Sequence, residues 1–349
     1  MKIALITIWH ENNYGAELQA YATVKALQQL GHQVKMIYIL LSDCHKPNFK
    51  GRIAEFISSF GPGYKKFDNF WKTNIPVTRR YHTIEELQSN PPKADVYMVG
   101  SDQVWNPELT GIFAKLFFLD FGNEKVKKIS YSSSFGTPEW NYEKLTEEVR
   151  LLLLQFDRIA SREQSGVQIL KDTFGVEASL TVDPTLLFEQ YQELTGPLSQ
   201  KKTLVYYPLS DDYELEKYAI KTSQRLGLQL VNNKKTTTIL GRVIWDKVGI
   251  EEWVRNIAES QFVITRSFHG LVFSLLYGKN FAIMANRNNR GTRLMNLLEQ
   301  VGLEERYYDS FNACDEAQPW NKPIDYDAIY LRLSEMRSQS YRYIMESLK

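Results

Sequence analysis

The residues best suited to chemistry lie in one short polar segment, Thr265 to Leu271. Within it, Arg266, Ser267 and His269 offer a cation, a hydroxyl and an imidazole in four consecutive positions. An arginine can hold an anion through paired hydrogen bonds, and an imidazole can transfer a proton near neutral pH. The segment therefore suits anion binding with proton transfer. The alternative is a strand-end turn with a structural histidine, which is favoured for an isolated histidine.

The neighbours of this segment predict where it lies in the fold. The apolar run 262–264 precedes it, and apolar residues at helical spacing follow it from Val272 to Tyr277. This pattern predicts a strand, a polar turn and the start of a helix. In open parallel sheets, ligands bind beyond the carboxyl ends of the strands, where the N–H groups of helix N-termini attract anions. The sequence therefore predicts a ligand site here.

A second polar turn lies near the N-terminus. A β-rich run over residues 2–9 precedes it, and residues 16–30 have the apolar period of a helix. Asn13, Tyr14 and Gly15 lie at this junction, where they either bind a ligand or form the turn. The turn lacks the three-glycine dinucleotide fingerprint, so we expect no nicotinamide or flavin cofactor.

A third polar strand end follows the apolar run 94–99. Ser101, Asp102 and Gln103 follow it after Gly100. Asp102 either caps a helix or, in a cleft, orients a sugar hydroxyl or acts as a base. The next strand, predicted over residues 128–132, ends in a hydroxyl-rich segment that either binds a polar ligand or supplies turn and capping groups.

A single arginine, Arg162, and a group of three arginines are further candidates for anion binding. The spacing of Ser161 and Gln164 resembles a helix capping box, which places Arg162 just inside a helix N-terminus. A cation is unfavourable there, so the position suggests a bound anion. Arg290 and Arg293, together with Arg287, lie in a basic loop that either clamps a phosphate or is simply exposed.

The order of these elements predicts an α/β chain with two Rossmann-like domains facing a cleft. We expect a first domain over residues 1–188, with an insertion of helices and loops at about 42–92. A linker at 189–202 leads to a second domain over residues 203–325, and a C-terminal helix over 326–349 packs back on the first domain.

Composition narrows the function classes. Lys and Arg total 42 against 41 Asp and Glu, a net charge of +1 that argues against a nucleic-acid-binding surface. Cys44 and Cys314 have no metal-ligand spacing, and we expect no metal. No signal peptide and no membrane-spanning apolar stretch is apparent, so we expect a cytoplasmic protein. The aromatic content of 13% leaves a peripheral contact with the inner face of the cell membrane open.

Five ordered segments of the chain resemble the polysaccharide pyruvyl transferase family. They are Asn13-Tyr14-Gly15-Ala16-Glu17-Leu18-Gln19-Ala20-Tyr21, Val99-Gly100-Ser101-Asp102-Gln103-Val104-Trp105-Asn106, Ser161-Arg162-Glu163, Val182-Asp183-Pro184-Thr185 and Ser267-Phe268-His269-Gly270. The resemblance implies two Rossmann-like domains similar to those of GT-B glycosyltransferases. It also implies transfer of pyruvate from phosphoenolpyruvate to two hydroxyls of a sugar or lipid-linked oligosaccharide, giving a cyclic ketal, with no cofactor.

The resemblance also suggests residue roles. It assigns acid or base catalysis to His269, with Asp102 as a candidate second residue, and donor binding to Arg162. Characterised members tend to have Arg-Leu-His where this chain has Ser267-Phe268-His269. The full donor set that we expect is Arg162, Arg266, Ser267, Arg290 and Arg293, and the acceptor set is Asn13, Tyr14, Gly15, Ser101 and Gln103. The alternatives are a glycosyltransferase that uses a nucleotide-sugar and a non-catalytic carbohydrate-binding relative.

Overall fold

The computed structural model divides the chain into two compact units. Unit 1 comprises Met1–Ser58, Asp68–Phe188 and Glu335–Lys349, and unit 2 comprises Ser59–Phe67 and Glu189–Ser334. The residues described are 1–10, 12–40, 62–123, 125–208, 211–239, 242–285 and 291–349, of which 62–64, 234–239 and 242–246 are described by their backbone alone.

The described α-helices are numbered here in chain order. They are α1 (Tyr14–Gln29), α2 (Pro62–Asn74), α3 (Ile84–Ser89), α4 (Pro107–Thr110), α5 (Glu143–Leu153), α6 (Gln164–Phe174), α7 (Pro184–Leu187), α8 (Gln192–Thr195), α9 (Tyr213–Leu226), α10 (Ile250–Glu259), α11 (Phe268–Leu276), α12 (Thr292–Val301), α13 (Phe311–Ala317) and α14 (Tyr326–Ser347). Short 3-10 helices cover Gly111–Phe118, Glu304–Arg306 and Pro319–Asn321.

The described strands are also numbered in chain order. They are β1 (Lys2–Ile6), β2 (Gln33–Tyr38), β3 (Val77–Arg80), β4 (Val96–Val99), β5 (Lys127–Ser130), β6 (Ala160–Ser161), β7 (Ser179–Leu180), β8 (Thr203–Tyr207), β9 (Gln229–Val231), β10 (Lys234–Ile239), β11 (Arg242–Lys247), β12 (Phe262–Thr265), β13 (Asn280–Met284) and β14 (Tyr307–Tyr308).

Unit 1 is built on a parallel sheet with strand order β3-β2-β1-β4-β5. The interior strand β4 is buried at every position, as expected for a parallel strand covered on both faces. The chain runs outward from β1 to β3 and then returns to place β4 beside β1. The carboxyl ends of β1 and β4 therefore flank the point where the strand order reverses, the usual ligand position in such sheets.

Unit 2 repeats this arrangement with strand order β14-β13-β12-β8-β9, again with parallel pairs. Here the order reverses between β8 and β12. An antiparallel hairpin of β10 and β11 follows β9. Both units thus have a Rossmann-like topology, which confirms the predicted α/β fold class.

One edge strand differs from the sequence prediction. We expected only helices and loops at about 42–92, but Val77–Arg80 forms β3 and extends the sheet of unit 1 beside β2. The strand is four residues long and ends in two exposed arginines. Short charged strands are common at sheet edges and carry little apolar signal. Residues 42–61 of the predicted insertion lie outside the described residues.

The last helix, α14, belongs to both units. Its residues up to Ser334 group with unit 2, and those from Glu335 group with unit 1. In unit 1, Arg337 donates a hydrogen bond to the carbonyl of Leu186 (2.5 Å), and Tyr343 donates one to the carbonyl of Ser130 (2.8 Å). Among the described helices, none is long and apolar enough to cross a membrane.

Candidate functional site

The carboxyl end of β12 is held tightly against its neighbour in unit 2. Thr265 Oγ1 donates to the carbonyl of Tyr207 at the end of β8 (2.7 Å) and accepts from the backbone N–H of Ser267 (2.9 Å). One hydroxyl therefore joins the two strands at the reversal point and starts the turn. The predicted strand, polar turn and helix start are confirmed.

Helix α11 begins directly on this turn. Ser267 is its N-cap, and its side chain accepts from the N–H of Gly270 (3.4 Å). A Cβ at Gly270 would lie 2.5 Å from Thr265 Oγ1, so only glycine allows the helix to approach the strand end this closely. His269 lies in the first turn, 8% exposed, with its ring edge-on to Phe268 at 5.4 Å. The imidazole is thus held at a helix N-terminus.

A cation lies at the same edge of unit 2. Arg266 NH1 is 3.0 Å from Asp212 Oδ2, and the two side chains are 12% and 20% exposed. Asp212 also caps α9 by accepting from the N–H of Leu215 (3.0 Å). The Arg266 Nε atom is buried and has no hydrogen-bond partner within the described part of the chain. Arg266 therefore retains an N–H that can serve an anion.

Of the three arginines in the predicted basic loop, the structure describes one. Arg293 lies in the first turn of α12 and is partly buried. Arg290 and Arg287 lie outside the described residues. Of the predicted donor residues in unit 2, Arg266 and Ser267 share one described turn, between β12 and the start of α11, with the catalytic candidate His269 in the first turn of that helix.

In unit 1, the segment after β1 is fixed to the segment after β4. Thr7 Oγ1 donates to the carbonyl of Ser101 (2.6 Å), and the buried amide of Gln19 donates to the carbonyl of Ile8 (2.7 Å). A Cβ at Gly100 would lie 3.0 Å from Thr7 Cβ, so a small residue is needed for this approach. The two turns form one connected surface at the reversal point.

Asp102 takes an unusual backbone conformation at this point. Its φ is +71°, in the left-handed region that most residues avoid, and its Oδ1 accepts from the N–H of Gln103 (2.9 Å). Asn106, not Asp102, caps the following helix α4, so the capping alternative for Asp102 is wrong. The Asp102 side chain is 19% exposed. Its carboxylate is therefore within reach of a ligand.

Arg162 lies beneath this surface, where it contacts acidic side chains of the chain itself. NH1 donates to Asp183 Oδ2 (2.6 Å), Nε donates to Glu163 Oε1 (3.0 Å), and NH2 lies 4.0 Å from Asp102 Oδ1. Burial alone would lower the pKa of Arg162, but these carboxylates together raise it above its usual value. The anion that the sequence suggested for Arg162 is thus supplied at least in part by Asp183 and Glu163.

The predicted capping box around Arg162 is wrong. Helix α6 begins at Gln164 with Glu163 as its N-cap, so Arg162 precedes the helix and does not lie inside it. The Ser161 hydroxyl instead donates to the carbonyls of Ser133 (3.0 Å) and Glu163 (3.3 Å). Hydrogen bonding to the neighbouring strand end outweighed the local capping pattern.

Most of the predicted acceptor residues have structural contacts. Asn13 caps α1 by accepting from the N–H of Gly15 (2.9 Å), and both Tyr14 and Gly15 are buried. Ser101 is fully buried, and its hydroxyl donates to Asp183 Oδ2 (3.2 Å). Gln103 is partly exposed beside Asp102. At this edge, Asp102 and Gln103 are the predicted residues best placed to meet a ligand.

Sequence reasoning missed one group at this edge of the sheet, in the turn after β1. His10 Nε2 lies 3.8 Å from Asp68 Oδ1, and the imidazole packs against the indole rings of Trp9 and Trp71. His10 and Asp68 are far apart in sequence, so no spacing rule connects them. The available signal was a histidine in the first polar turn of a Rossmann-like domain.

These two edges lie within a segment shared with known proteins. The sequence profile described as "Polysaccharide pyruvyl transferase" matches residues 13–288 of this chain, which is most of its length. The chain belongs to the polysaccharide pyruvyl transferase family. No curated protein sequence matches it significantly.

Solved structures of other proteins share the architecture. The complex of S. aureus MnaA with UDP superposes with a TM-score of 0.51 at 14% identity, covering 96% of this chain and 91% of that one. TcCGT1 in complex with UDP gives a TM-score of 0.50 at 8% identity, covering 99% and 98%. At such low identity the likeness concerns the fold alone, and it confirms the predicted GT-B-like architecture of this pyruvyl transferase family member.

The family segment contains the candidate residues at both edges that are discussed above, except those of the turn after β1 that precede residue 13. It includes Asp102 and Arg162 in unit 1, and Arg266 and His269 in unit 2. The described residues contain no group of three or more His, Cys, Asp or Glu side chains that could hold a metal ion. What the two edges offer is an imidazole, an exposed carboxylate, an arginine with a spare N–H and a helix N-terminus.

Proposed function

We propose that this transferase moves pyruvate from phosphoenolpyruvate onto two hydroxyls of one sugar, forming a cyclic ketal in capsular or exopolysaccharide biosynthesis. The observation that carries the proposal is the position of His269. It lies in the first turn of α11 at the reversal point of a parallel sheet, inside the family segment and three residues after Arg266. An acid or base there is next to groups that bind anions.

The donor carries a phosphate and a carboxylate, so its site needs cations and N–H donors. In unit 2, the α11 N-terminus and the Nε of Arg266 supply both kinds of group. Arg293 is a further candidate at the start of α12. We assign donor binding chiefly to these groups, because the guanidinium of Arg162 already contacts Asp183 and Glu163.

The reaction conserves atoms and charge without a redox step. His269 protonates the methylene carbon of the donor, which becomes a methyl group, while an acceptor hydroxyl oxygen bonds to the central carbon. A second hydroxyl oxygen of the same sugar then displaces the phosphate. The two hydroxyl protons end on the methyl group, by way of the histidine, and on the phosphate. The scheme uses no cofactor, and phosphoenolpyruvate is consumed as a substrate.

The acceptor chemistry fits the edge of unit 1. Asp102 presents a partly exposed carboxylate beside the amide of Gln103, and such groups commonly bind sugar hydroxyls. A galactoside with free 4- and 6-hydroxyls has the geometry for a six-membered ketal, and we propose this class of acceptor. A lipid-linked repeat unit would bring the enzyme to the membrane surface.

The first test is the thermal stability of the purified protein with phosphoenolpyruvate or with a panel of nucleoside diphosphates. A ligand that binds only the native state raises the melting temperature. At a concentration of 100 times its Kd, it increases the free energy of unfolding by about 2.7 kcal/mol. We expect a rise with phosphoenolpyruvate alone. A rise with a nucleoside diphosphate alone would overturn the proposal in favour of a glycosyltransferase.

The second part of the test is turnover in the His269→Asn variant. We expect phosphate release from phosphoenolpyruvate in the presence of methyl β-D-galactopyranoside to fall by about 10²–10⁴-fold, the usual contribution of a general acid or base. His82→Asn, at an exposed position of unit 1, is the matched control. Turnover that persists in His269→Asn, with native stability, would show that His269 is not the acid.

A further inference from the structure

A histidine and a carboxylate form a pair in unit 1 that the scheme above leaves unused. His10 lies in the turn after β1, and its Nε2 is 3.8 Å from Oδ1 of Asp68 on α2. The other carboxylate oxygen of Asp68 bonds to Lys72 (2.6 Å). Asp68 is therefore placed to orient the imidazole and to stabilise its protonated form, as the aspartate of a Ser-His-Asp triad does.

Aromatic rings hold the imidazole of His10 on its other sides. Its ring centroid lies 5.1 Å from that of Trp71 and 5.7 Å from that of Trp9, and both contacts are edge-on. Tyr38 completes the group at 5.5 Å from Trp71. The His10 side chain keeps 13% of its surface exposed. The cluster fixes the ring while leaving it a path to a ligand.

The charged groups around His10 set its protonation. Burial lowers the pKa of His10, the carboxylate of Asp68 and the backbone carbonyl of His10 itself raise it, and Arg80 lowers it. The balance is a lowered pKa, so the imidazole is neutral near pH 7. A neutral imidazole is the form that accepts a proton.

The pair lies at the same edge of the unit 1 sheet as the proposed acceptor residues, because β1 and β4 are parallel neighbours. The turn that carries His10 is joined to the turn after β4 by the hydrogen bond from Thr7 to Ser101, and Asp102 follows directly. Both His10 and Asp102 have a left-handed backbone, with φ of +61° and +71°. Such conformations are costly for residues other than glycine and concentrate at functional sites.

The same cluster contains polar groups suited to a sugar. The buried indole N–H groups of Trp9 and Trp71 have no acceptor within the described part of the chain. Buried donors usually have a partner, and a sugar hydroxyl oxygen is an acceptor of the right kind. The cluster thus combines apolar rings, N–H donors and a base.

We propose that His10, oriented by Asp68, is a catalytic base that takes the proton from the acceptor hydroxyl as its oxygen attacks the donor. This inference rests on the proposed function and divides its chemistry between two histidines. The hydroxyl O–H bond breaks, the oxygen bonds to the central carbon of the donor, and the proton moves to His10. His269 supplies the proton that converts the methylene to a methyl group. When the second hydroxyl displaces phosphate, its proton leaves with the phosphate, and the proton on His10 passes through solvent to His269, which restores both histidines.

The test compares pH profiles of kcat/KM for phosphate release from phosphoenolpyruvate with methyl β-D-galactopyranoside. His10→Asn suits the left-handed backbone and removes the base. We expect its kcat to fall by about 10²–10⁴-fold and the acidic limb of the profile to disappear. Asp68→Asn removes a carboxylate that raises the His10 pKa, so its acidic limb should move to lower pH. His82→Asn is the control and should match the wild type.

The outcomes separate the two proposals. A wild-type enzyme that releases no phosphate from this pair of substrates overturns the proposed function, and the role of His10 with it. A wild type that turns over, beside a His10→Asn variant that keeps more than one-tenth of its kcat or retains the acidic limb, overturns only the role of His10. If His10→Asn does not fold, an acidic limb that stays in place in Asp68→Asn overturns the assignment.

Discussion

The polar edges of the two units have the same topology and opposite states of internal bonding. At the edge of unit 1, buried polar side chains largely satisfy one another: Arg162 bonds Asp183 and Glu163, and Ser134 bonds Glu163 at 2.9 Å. At the edge of unit 2, Arg266 has one carboxylate partner, Asp212, and an Nε with no acceptor in the described part of the chain. Around Arg162, the edge of unit 1 is thus internally bonded, whereas Arg266 at the edge of unit 2 presents an N–H for a ligand.

A charged residue at a strand end is not by itself a ligand-binding residue. Arg162 follows the short strand β6, which pairs with β7, and Arg266 follows β12 at the reversal point of unit 2. Both were reasonable donor candidates. What separates them is the number of carboxylates within reach. The predictions below test that separation, beginning with the largest expected effect.

Replacing Arg162 should damage the fold far more than replacing Arg266. Arg162→Met leaves the carboxylate of Asp183, which is fully buried, without its cation, and breaking such a pair costs about 3–5 kcal/mol. Arg266→Met removes a pair that is partly exposed and should cost about 1 kcal/mol. Urea unfolding of both variants measures the difference.

For donor binding we expect the larger effect from Arg266 rather than from Arg162. Arg266→Met should raise the KM for phosphoenolpyruvate about tenfold, the effect of losing about 1.4 kcal/mol of binding. If Arg162→Met does not fold, Asp183→Asn tests the same pair. Equal losses of stability in Arg162→Met and Arg266→Met would remove the distinction between the two edges.

Two glycines offer a second matched pair. A Cβ at Gly166 would collide with Ser161 Oγ, and one at Gly270 would lie 2.5 Å from Thr265 Oγ1. In each unit, a strand-end hydroxyl is followed five residues later by a glycine in the next helix. Overpacking of this kind costs about 1–3 kcal/mol, so we expect a lower melting temperature for both Gly166→Ala and Gly270→Ala.

Turnover should separate these two variants. Gly270→Ala displaces the turn that carries His269, so its kcat should fall further than that of Gly166→Ala at equal stability. Similar kcat values in the two variants would mean that the edge of unit 2 is no more closely tied to catalysis than that of unit 1.

The smallest effect concerns alkaline pH. Burial raises the pKa of Tyr131 in unit 1 and of Tyr207 in unit 2 well above the ordinary value. The pKa of each hydroxyl is higher in the folded state than in the unfolded state, where it is about 10. Each tyrosine therefore contributes its full stabilisation below about pH 10, and this stabilisation is lost as the pH rises from there towards the folded-state pKa.

Phenylalanine variants measure this contribution. Above pH 10, the wild type should lose about 1.4 kcal/mol more per pH unit than Tyr131→Phe or Tyr207→Phe. Denaturant unfolding between pH 9 and pH 11 gives the slopes. Identical slopes for the wild type and a variant would show that the tyrosine ionises in the folded state.

Much of the fold could be predicted because its signals are local. Apolar runs such as those before Arg266 and before Gly100, each ending in a polar turn, identify parallel strands directly. The exception, β3, is short and charged, so its place in the sheet depends on pairing with β2, which no local pattern reports.

The candidate site could be predicted less well because its contacts are distant in sequence. Arg162 meets Asp183, and His10 meets Asp68, through the return of the chain to the same edge of the sheet. Position at a strand end was enough to select His269 and Asp102. It could not show which arginine already had carboxylate partners, and the local capping pattern at Ser161 gave way to hydrogen bonds with the next strand end.

The shared helix α14 has a consequence for synthesis on the ribosome. Unit 1 takes residues from both ends of the chain: Ser340 accepts a hydrogen bond from the N–H of Val182 (3.0 Å), and Tyr343 bonds the carbonyl of Ser130. Translation delivers Ser340 and Tyr343 only after all of unit 2 has been made. The earlier residues of unit 1 must therefore wait, incompletely packed, while the second unit emerges, and the nascent chain is most exposed to aggregation and proteolysis in that interval.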